Sequence, residues 1–117
     1  MKTIYSQSGI VIEDGRKCHL VPYEEIQWIK AEGNYCMLFT QKSRILVRQS
    51  LNYFQSHLKS SFFRCHRSII VNLIFVELYD KGNKRLHLKT GTILPVARFL
   101  HKALLQKLYD FNKQFDD

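Results

Sequence analysis

The residues best suited to chemistry lie in one short stretch, Arg64-Cys65-His66-Arg67-Ser68. Two phenylalanines precede this stretch and the apolar run Ile69-Ile70-Val71 follows it. The pattern predicts a strand, a turn at the polar centre and a second strand. Such a hairpin would hold Arg64, His66 and Arg67 on a short, well-anchored loop. Basic groups on a rigid loop suit an anionic partner.

The same stretch lacks the pattern of a catalytic site. Cys65 and His66 are neighbours, and adjacent side chains on a strand point to opposite faces. The sequence contains no His-x-x-x-His spacing, no Cys-x-x-Cys pair and no phosphate-binding glycine loop. We therefore predict a protein that is not an enzyme and has no metal or cofactor. Cys18 and Cys36 are expected in the core, and a redox role for Cys65 requires an exposed thiol with a lowered pKa.

Positive charge is segregated along the chain. The formal net charge is +8, and neither Asp nor Glu occurs between Gly33 and Val76 or between Lys81 and Tyr109. This distribution predicts a positive face directed toward a polyanion. The apolar runs are shorter than the roughly 20 residues of a membrane span, and no secretory signal opens the sequence. We therefore expect a cytoplasmic protein without a membrane segment.

The elements that must position the basic loop are mostly short strands. Asp14-Gly15 lies between two β-rich runs and predicts a hairpin turn. Ile26 and Trp28 are expected on one face of the strand that ends at a second turn, Gly33-Asn34. A further hairpin is predicted between residues 74 and 90. The fold class is therefore mainly β with short helices.

Two helices and one domain complete the prediction. Ser50 is a candidate N-cap for a short central helix that ends near residue 59. From Leu100 onward, apolar residues recur at helical spacing and predict an amphipathic C-terminal helix. We expect a single domain over residues 1–117, with a core at about 8–108 and a flexible tail at about 111–117.

Four motifs, in this order, resemble the LytTR family of bacterial DNA-binding domains. The most specific is Phe-Phe-Arg-Cys-His-Arg-Ser-Ile-Ile-Val-Asn at 62–72, and the others lie at 29–35, 50–54 and 94–98. The resemblance extends over roughly residues 8–108. It implies an elongated arrangement of small antiparallel sheets, and DNA contacts from loops rather than from a recognition helix.

The motif positions supply the candidate site residues. Arg67, Arg98 and Asn34 are the candidates for base readout, because Arg can bond two acceptors on guanine and Asn can do the same on adenine. Phosphate contacts or loop support are expected from a second set, namely Arg48, His66, Ser68, Lys89 and Lys102.

Three of these positions have alternative interpretations. Asn34 could serve only the turn that it shares with Gly33. His66 could brace its loop through a backbone hydrogen bond rather than contact DNA. Arg64 could pair with an acid such as Glu32 and be structural.

The resulting prediction is sequence-specific binding of double-stranded DNA in the major groove by the output domain of a bacterial transcription regulator. The resemblance implies paired direct repeats as sites, and control by a receiver domain or a histidine-kinase pathway of a two-component system. The chain is too short to include a receiver, so we expect an excised output domain or a stand-alone regulator, as a monomer or weak dimer. The competing hypothesis is a single-stranded DNA or RNA module that stacks bases on exposed aromatic side chains.

Overall fold

Three antiparallel sheets build the domain. The structure is a computed structural model that describes residues 2–114, with side chains through residue 112. Its eleven strands within those residues form sheets of three, five and three strands. The principal extents are 45 × 35 × 25 Å. The predicted fold class is therefore confirmed as mainly β, with small antiparallel sheets and short helices.

The first sheet is a meander of three strands in the order β1-β2-β3. Its strands are β1 (Lys2–Tyr5), β2 (Gly9–Asp14) and β3 (Lys17–Pro22). The β2–β3 turn contains Gly15 with φ +59°, a conformation that favours glycine. The hairpin at Asp14-Gly15 is therefore confirmed, whereas β1 was not predicted.

The second sheet has five strands and forms the centre of the domain. Their spatial order is β6-β5-β4-β8-β7. The strands are β4 (Ile26–Glu32), β5 (Tyr35–Thr40), β6 (Arg44–Val47), β7 (Phe62–His66) and β8 (Ile69–Asn72). One face packs against the first sheet and the central helix, and the other packs against the third sheet and the terminal helix.

The central helix α1 spans Leu51–His57. Its N-cap is Ser50, whose hydroxyl accepts a hydrogen bond of 3.1 Å from the Tyr53 amide. Leu51 and Phe54 are buried against the central sheet. The predicted cap and helix are confirmed.

The third sheet and the terminal helix close the other side. The sheet order is β11-β10-β9, with strands β9 (Val76–Asp80), β10 (Arg85–Leu88) and β11 (Ile93–Pro95). A 3₁₀ turn at Arg98–Leu100 leads into α2 (His101–Gln114), and further 3₁₀ turns span Tyr23–Glu25 and Leu73–Phe75. The last three residues of the expected tail, 115–117, lie outside the described residues. No described helix has the length and apolar character needed to cross a membrane.

Two local predictions are wrong. A bulge in β4 between Ile26 and Trp28 places Ile26 in the core beside the first sheet and Trp28 against the core beside the third. They therefore lie on opposite faces rather than on one. Cys36 is buried as expected, but Cys18 is exposed because it pairs with Glu13 on the outer face of the first sheet.

Candidate nucleic-acid interface

Two of the three candidate loops meet at one end of the central sheet. β4 pairs antiparallel with both β5 and β8, so the turn after β4 and the turn before β8 lie side by side. The first turn is Gly33-Asn34 and the second is Arg67-Ser68. A backbone hydrogen bond holds the strand that leads into the first turn against the second turn, because the Ala31 amide of β4 donates to the Ser68 carbonyl at 2.8 Å.

The third loop attaches to the outer edge of β7. The Ala97 amide donates to the Cys65 carbonyl at 2.9 Å, at the bulge that separates Arg64 from His66 in the strand register. Arg98 therefore follows directly after a residue that is fixed beside the Arg67-Ser68 turn. We call this end of the sheet, formed by residues 33–34, 67–68 and 97–98, the loop end.

The three candidates for base readout are all exposed at the loop end. Gly33 adopts φ +59° and is the residue of its turn that needs the left-handed region, so Asn34 is not required for that conformation. Among the described residues, no hydrogen bond or ion pair engages the guanidinium of Arg67 or of Arg98. These side chains are therefore presented to solvent with their donors available.

His66 and Ser68 brace the turn between them. The Ser68 amide donates to His66 Nδ1 at 3.2 Å, and Ser68 Oγ lies 2.9 Å from the same nitrogen. Because Nδ1 accepts a backbone N–H, the neutral ring carries its proton on Nε2. His66 thus supports the loop through Nδ1 and retains Nε2–H as a donor for a ligand.

Arg64 is not paired with Glu32 or with any other acid among the described residues. Its guanidinium donates instead to neutral groups, the side chains of Asn52 and Gln55 on α1 and the backbone carbonyl of Arg67. The alternative in which Arg64 pairs with an acid is therefore wrong, and its contacts are structural ones to neutral groups.

The expected phosphate contacts divide between the two ends of the molecule. Arg48 follows Val47, which pairs with Cys36 beside the Gly33-Asn34 turn, and Lys102 lies one helical turn after Arg98. Both are exposed near the loop end. Lys89, however, lies at the opposite end of the third sheet, where its amide donates to the Phe75 carbonyl at 2.8 Å.

Sequence reasoning missed two exposed side chains close to the loop end. Arg85 begins β10 opposite Pro95, two residues before Ala97. Phe99 directly follows Arg98 and is 83% exposed. The pairing register of β10 with β11 separates Arg85 from Lys89, and the sequence alone does not fix that register.

Comparison with known proteins identifies the family. The family model of the LytTr DNA-binding domain matches residues 16–109, which is most of the chain. The chain belongs to the LytTR family. This LytTR domain is thus a DNA-binding domain that acts in transcription regulation, and the family is one of DNA-binding rather than catalytic domains.

A solved structure supports the same assignment. The LytTR domain is similar to the LytTr DNA-binding domain of a putative methyl-accepting/DNA response regulator from Bacillus cereus. The two share 25% sequence identity and a TM-score of 0.73, over 89% of this chain and 98% of that chain. No curated protein matches the sequence.

Three aromatic side chains of the LytTR domain that a single strand could stack on are engaged within the protein. Trp28 and Phe39 stack on each other with ring centroids 4.0 Å apart and an interplanar angle of 0°. The guanidinium of Arg44 lies 5.3 Å from the Phe39 centroid. The Tyr79 hydroxyl is held 2.8 Å from His101 Nδ1. The ring faces of Trp28 and Phe39 are therefore already occupied, whereas Phe99 and Tyr109, at 83% and 77% exposure, remain open to a stacking base.

Cys65 does not meet the condition for a redox role. Its side chain has no exposed area, and burial raises the pKa of the Cys65 thiol to about 12. Burial also raises the pKa of the Cys36 thiol, to about 11. Both thiols stay protonated at neutral pH, and the thiolate is the reactive form. Among the described residues, no group of three or more His, Cys, Asp or Glu side chains could hold a metal.

This burial predicts selective labelling of the three cysteines. Iodoacetamide at pH 7.5 should alkylate exposed Cys18 and leave Cys36 and Cys65 unmodified, because the two buried thiols are both inaccessible and protonated. Mass spectrometry of digested native and urea-unfolded protein measures the result, with all three labelled in urea. Labelling of Cys65 at the rate of Cys18 in the native protein would contradict the prediction.

Proposed function

We propose that the LytTR domain reads double-stranded DNA sequence-specifically by placing its loop end in the major groove. Arg67 and Arg98 would each bond a guanine, and Asn34 would bond an adenine. The observation that carries this proposal is a pair of backbone hydrogen bonds at one end of the sheet. Ala31 of β4 bonds to Ser68 and Ala97 bonds to Cys65 of β7, so that strands of one sheet hold the three loops near each other.

The loop end suits the major groove in shape and in rigidity. The groove is about 12 Å wide and admits a compact protein element. The two turns are supported by adjacent strands of one sheet, so the backbone from which their side chains depart is held by a rigid scaffold. Preorganised donors lose less conformational entropy on binding and discriminate bases better.

A second set of groups would contact phosphates on either side of the loop end. Arg48 lies beside the Gly33-Asn34 turn, Lys102 lies beyond Arg98, and His66 Nε2–H and the Ser68 hydroxyl lie between them. We add Arg85 from the third sheet. Phosphate contacts of this kind set the register and orientation on the duplex without reading sequence.

The proposal includes a regulatory context. The similar domain from Bacillus cereus comes from a putative response regulator, which favours an output domain governed by a receiver or a histidine-kinase pathway of a two-component system. We further propose binding in the cytoplasm as a monomer or weak dimer, with two copies on paired direct repeats.

A selection experiment tests the proposed function. Purified protein is offered random duplexes at near-physiological salt, in parallel with a random single-stranded pool. Enrichment of a short duplex motif, repeated at a fixed spacing, is the expected result. Enrichment only in the single-stranded pool would replace duplex readout by base stacking, and no enrichment in either pool would refute sequence-specific binding.

Arg85→Ala and Lys89→Ala form a matched pair that locates the phosphate contacts. Both remove one exposed positive charge from the same hairpin, at opposite ends of β10. We expect Arg85→Ala to weaken binding to operator and scrambled duplexes alike and to reduce the salt slope of log Kd by about one unit. Lys89→Ala should leave the slope unchanged. Titrations at four salt concentrations measure both.

The reverse pattern would move the proposed phosphate contact to the other end of β10. A slope reduced by Lys89→Ala and not by Arg85→Ala would return Lys89 to the phosphate contacts and remove Arg85 from them.

A further inference from the structure

Arg64 lies behind the Arg67-Ser68 turn, on the face of the central sheet that carries α1. Its Nη1 donates to the Asn52 side-chain oxygen and, at 2.9 Å, to Gln55 Oε1. Asn52 and Gln55 are three residues apart and therefore on one side of the helix. The helix is itself anchored, because Leu51 and Phe54 are buried in the core.

The other donors of the same guanidinium reach the turn. Nη2 donates to the Arg67 carbonyl, and Nε donates to the His66 carbonyl at 3.4 Å. One planar cation thus holds two successive backbone carbonyls of the turn on one side and two helix side chains on the other. Hydrogen bonds from a cation are stronger than neutral ones, and the rigid guanidinium fork fixes their directions.

These contacts turn Arg64 away from a ligand. Four hydrogen bonds use most of its five N–H donors, and all four acceptors belong to the protein. All four acceptors are neutral groups, so none of them neutralises the positive charge of Arg64 behind the turn. Arg64 is therefore placed to support the Arg67-Ser68 turn rather than to contact DNA.

We propose that Arg64 is a positioning residue that locks the Arg67 peptide against α1 and thereby aims the Arg67 side chain at its base. The inference rests on the proposed role of Arg67 in base readout. The clamped carbonyl belongs to Arg67 itself, so the clamp fixes the backbone from which the reading side chain departs. Specific readout needs side chains held within a fraction of an ångström, and that precision comes from supporting contacts.

The test uses variants that keep the charge balance. Arg64→Lys retains the positive charge and loses the fork, and the double variant Asn52→Ala/Gln55→Ala removes the helix acceptors and no charge. Each is titrated with operator and scrambled duplexes at several salt concentrations, with melting temperatures in parallel. Arg44→Lys, an Arg-to-Lys change at an exposed strand end opposite the loop end, is the matched control.

We expect both clamp variants to lower the operator-to-scrambled affinity ratio by about tenfold, within the range that a misaligned bidentate contact loses. The salt slope should stay at the wild-type value, because no phosphate contact is removed. Arg44→Lys should leave the ratio unchanged. In an Arg67→Ala background, Arg64→Lys should lower the operator-to-scrambled affinity ratio little further, because the side chain that Arg64 positions is absent.

Three outcomes would overturn the inference. The first is a wild-type affinity ratio in both clamp variants. The second is an equal loss on operator and scrambled duplexes, which would give Arg64 a general electrostatic role. The third is full additivity of Arg64→Lys with Arg67→Ala. If Arg64→Lys does not fold, the double variant Asn52→Ala/Gln55→Ala, whose changes lie on the exposed side of α1, tests the inference by itself. Failure of the proposed function would appear separately, as a wild-type protein that selects no duplex motif.

Discussion

Arg67→Ala is expected to weaken binding to the selected operator by about 1–3 kcal/mol, which corresponds to a roughly 5- to 150-fold higher Kd. The Arg67 guanidinium is exposed, and no hydrogen bond among the described residues engages it. Its removal should therefore take away the proposed base contact without breaking a contact of the fold. Fluorescence anisotropy with labelled duplexes measures the change, and the melting temperature should stay at the wild-type value.

The matched control is Arg44→Ala. Arg44 is also an exposed arginine on a strand end, but it pairs with Phe39 at the end of the sheet opposite the loop end. Its replacement removes the same charge and should change operator affinity little. If Arg67→Ala lowered the affinities for operator and scrambled duplexes by the same factor, Arg67 would be a phosphate contact and the division of roles would be wrong.

Arg98 allows the same argument at a second base. Ala97 ties it to β7, so Arg98 and Arg67 occupy neighbouring but separate positions at the loop end. Operators with single base-pair changes should therefore lose discrimination at one position in Arg67→Ala and at another in Arg98→Ala. This measurement would assign each arginine to its own base.

Local signals in the sequence predicted most of the elements. Gly15 adopts the positive φ that an Asp-Gly turn requires, and the Ser50 hydroxyl caps α1. The stretch 62–72 forms the predicted strand, turn and strand. These features depend on residues that are close in sequence, so the local pattern is sufficient to define them.

Features that depend on register and bulges were not accessible from the sequence. A bulge in β4 separates Ile26 from Trp28, although their spacing is that of one strand face. Lys89 and Arg85 are both basic residues of one hairpin, and only the pairing of β10 with β11 decides which lies near Ala97. A shift of one residue in register reverses the face of every side chain, so such assignments need the tertiary structure.

The candidate site shows the same contrast between what local residues indicate and what long-range contacts determine. The motif resemblance and the residue types at Asn34, Arg67 and Arg98 indicate base readout from the sequence alone. The two backbone hydrogen bonds that unite their loops connect residues 37 and 32 positions apart, Ala31 with Ser68 and Cys65 with Ala97. Contacts at such separations arise from the packing of whole sheets, and no local motif specifies them.

Asn72→Ala is expected to have the largest effect on folding, a loss of about 2–4 kcal/mol in the free energy of unfolding. The Asn72 side chain is 1% exposed and makes three hydrogen bonds. Its amide donates to the carbonyls of Tyr23 at 3.2 Å and Ile26 at 2.9 Å, and its oxygen accepts from the Ile74 amide at 3.3 Å. Alanine leaves these buried backbone groups without those partners. Urea denaturation measures the loss, and the melting temperature should fall by about 10–20 °C.

The effect of Asn72→Ala should be confined to stability. Asn72 ends β8 at the side of the sheet away from the Arg67-Ser68 turn, so the molecules that remain folded should bind the operator with wild-type specificity. Asn112→Ala, at an exposed position of α2, is the matched control and should leave the unfolding midpoint unchanged. An unchanged stability of Asn72→Ala would show that the three hydrogen bonds contribute nothing. A changed base preference in its folded fraction would show instead that the far end of β8 is coupled to the loop end.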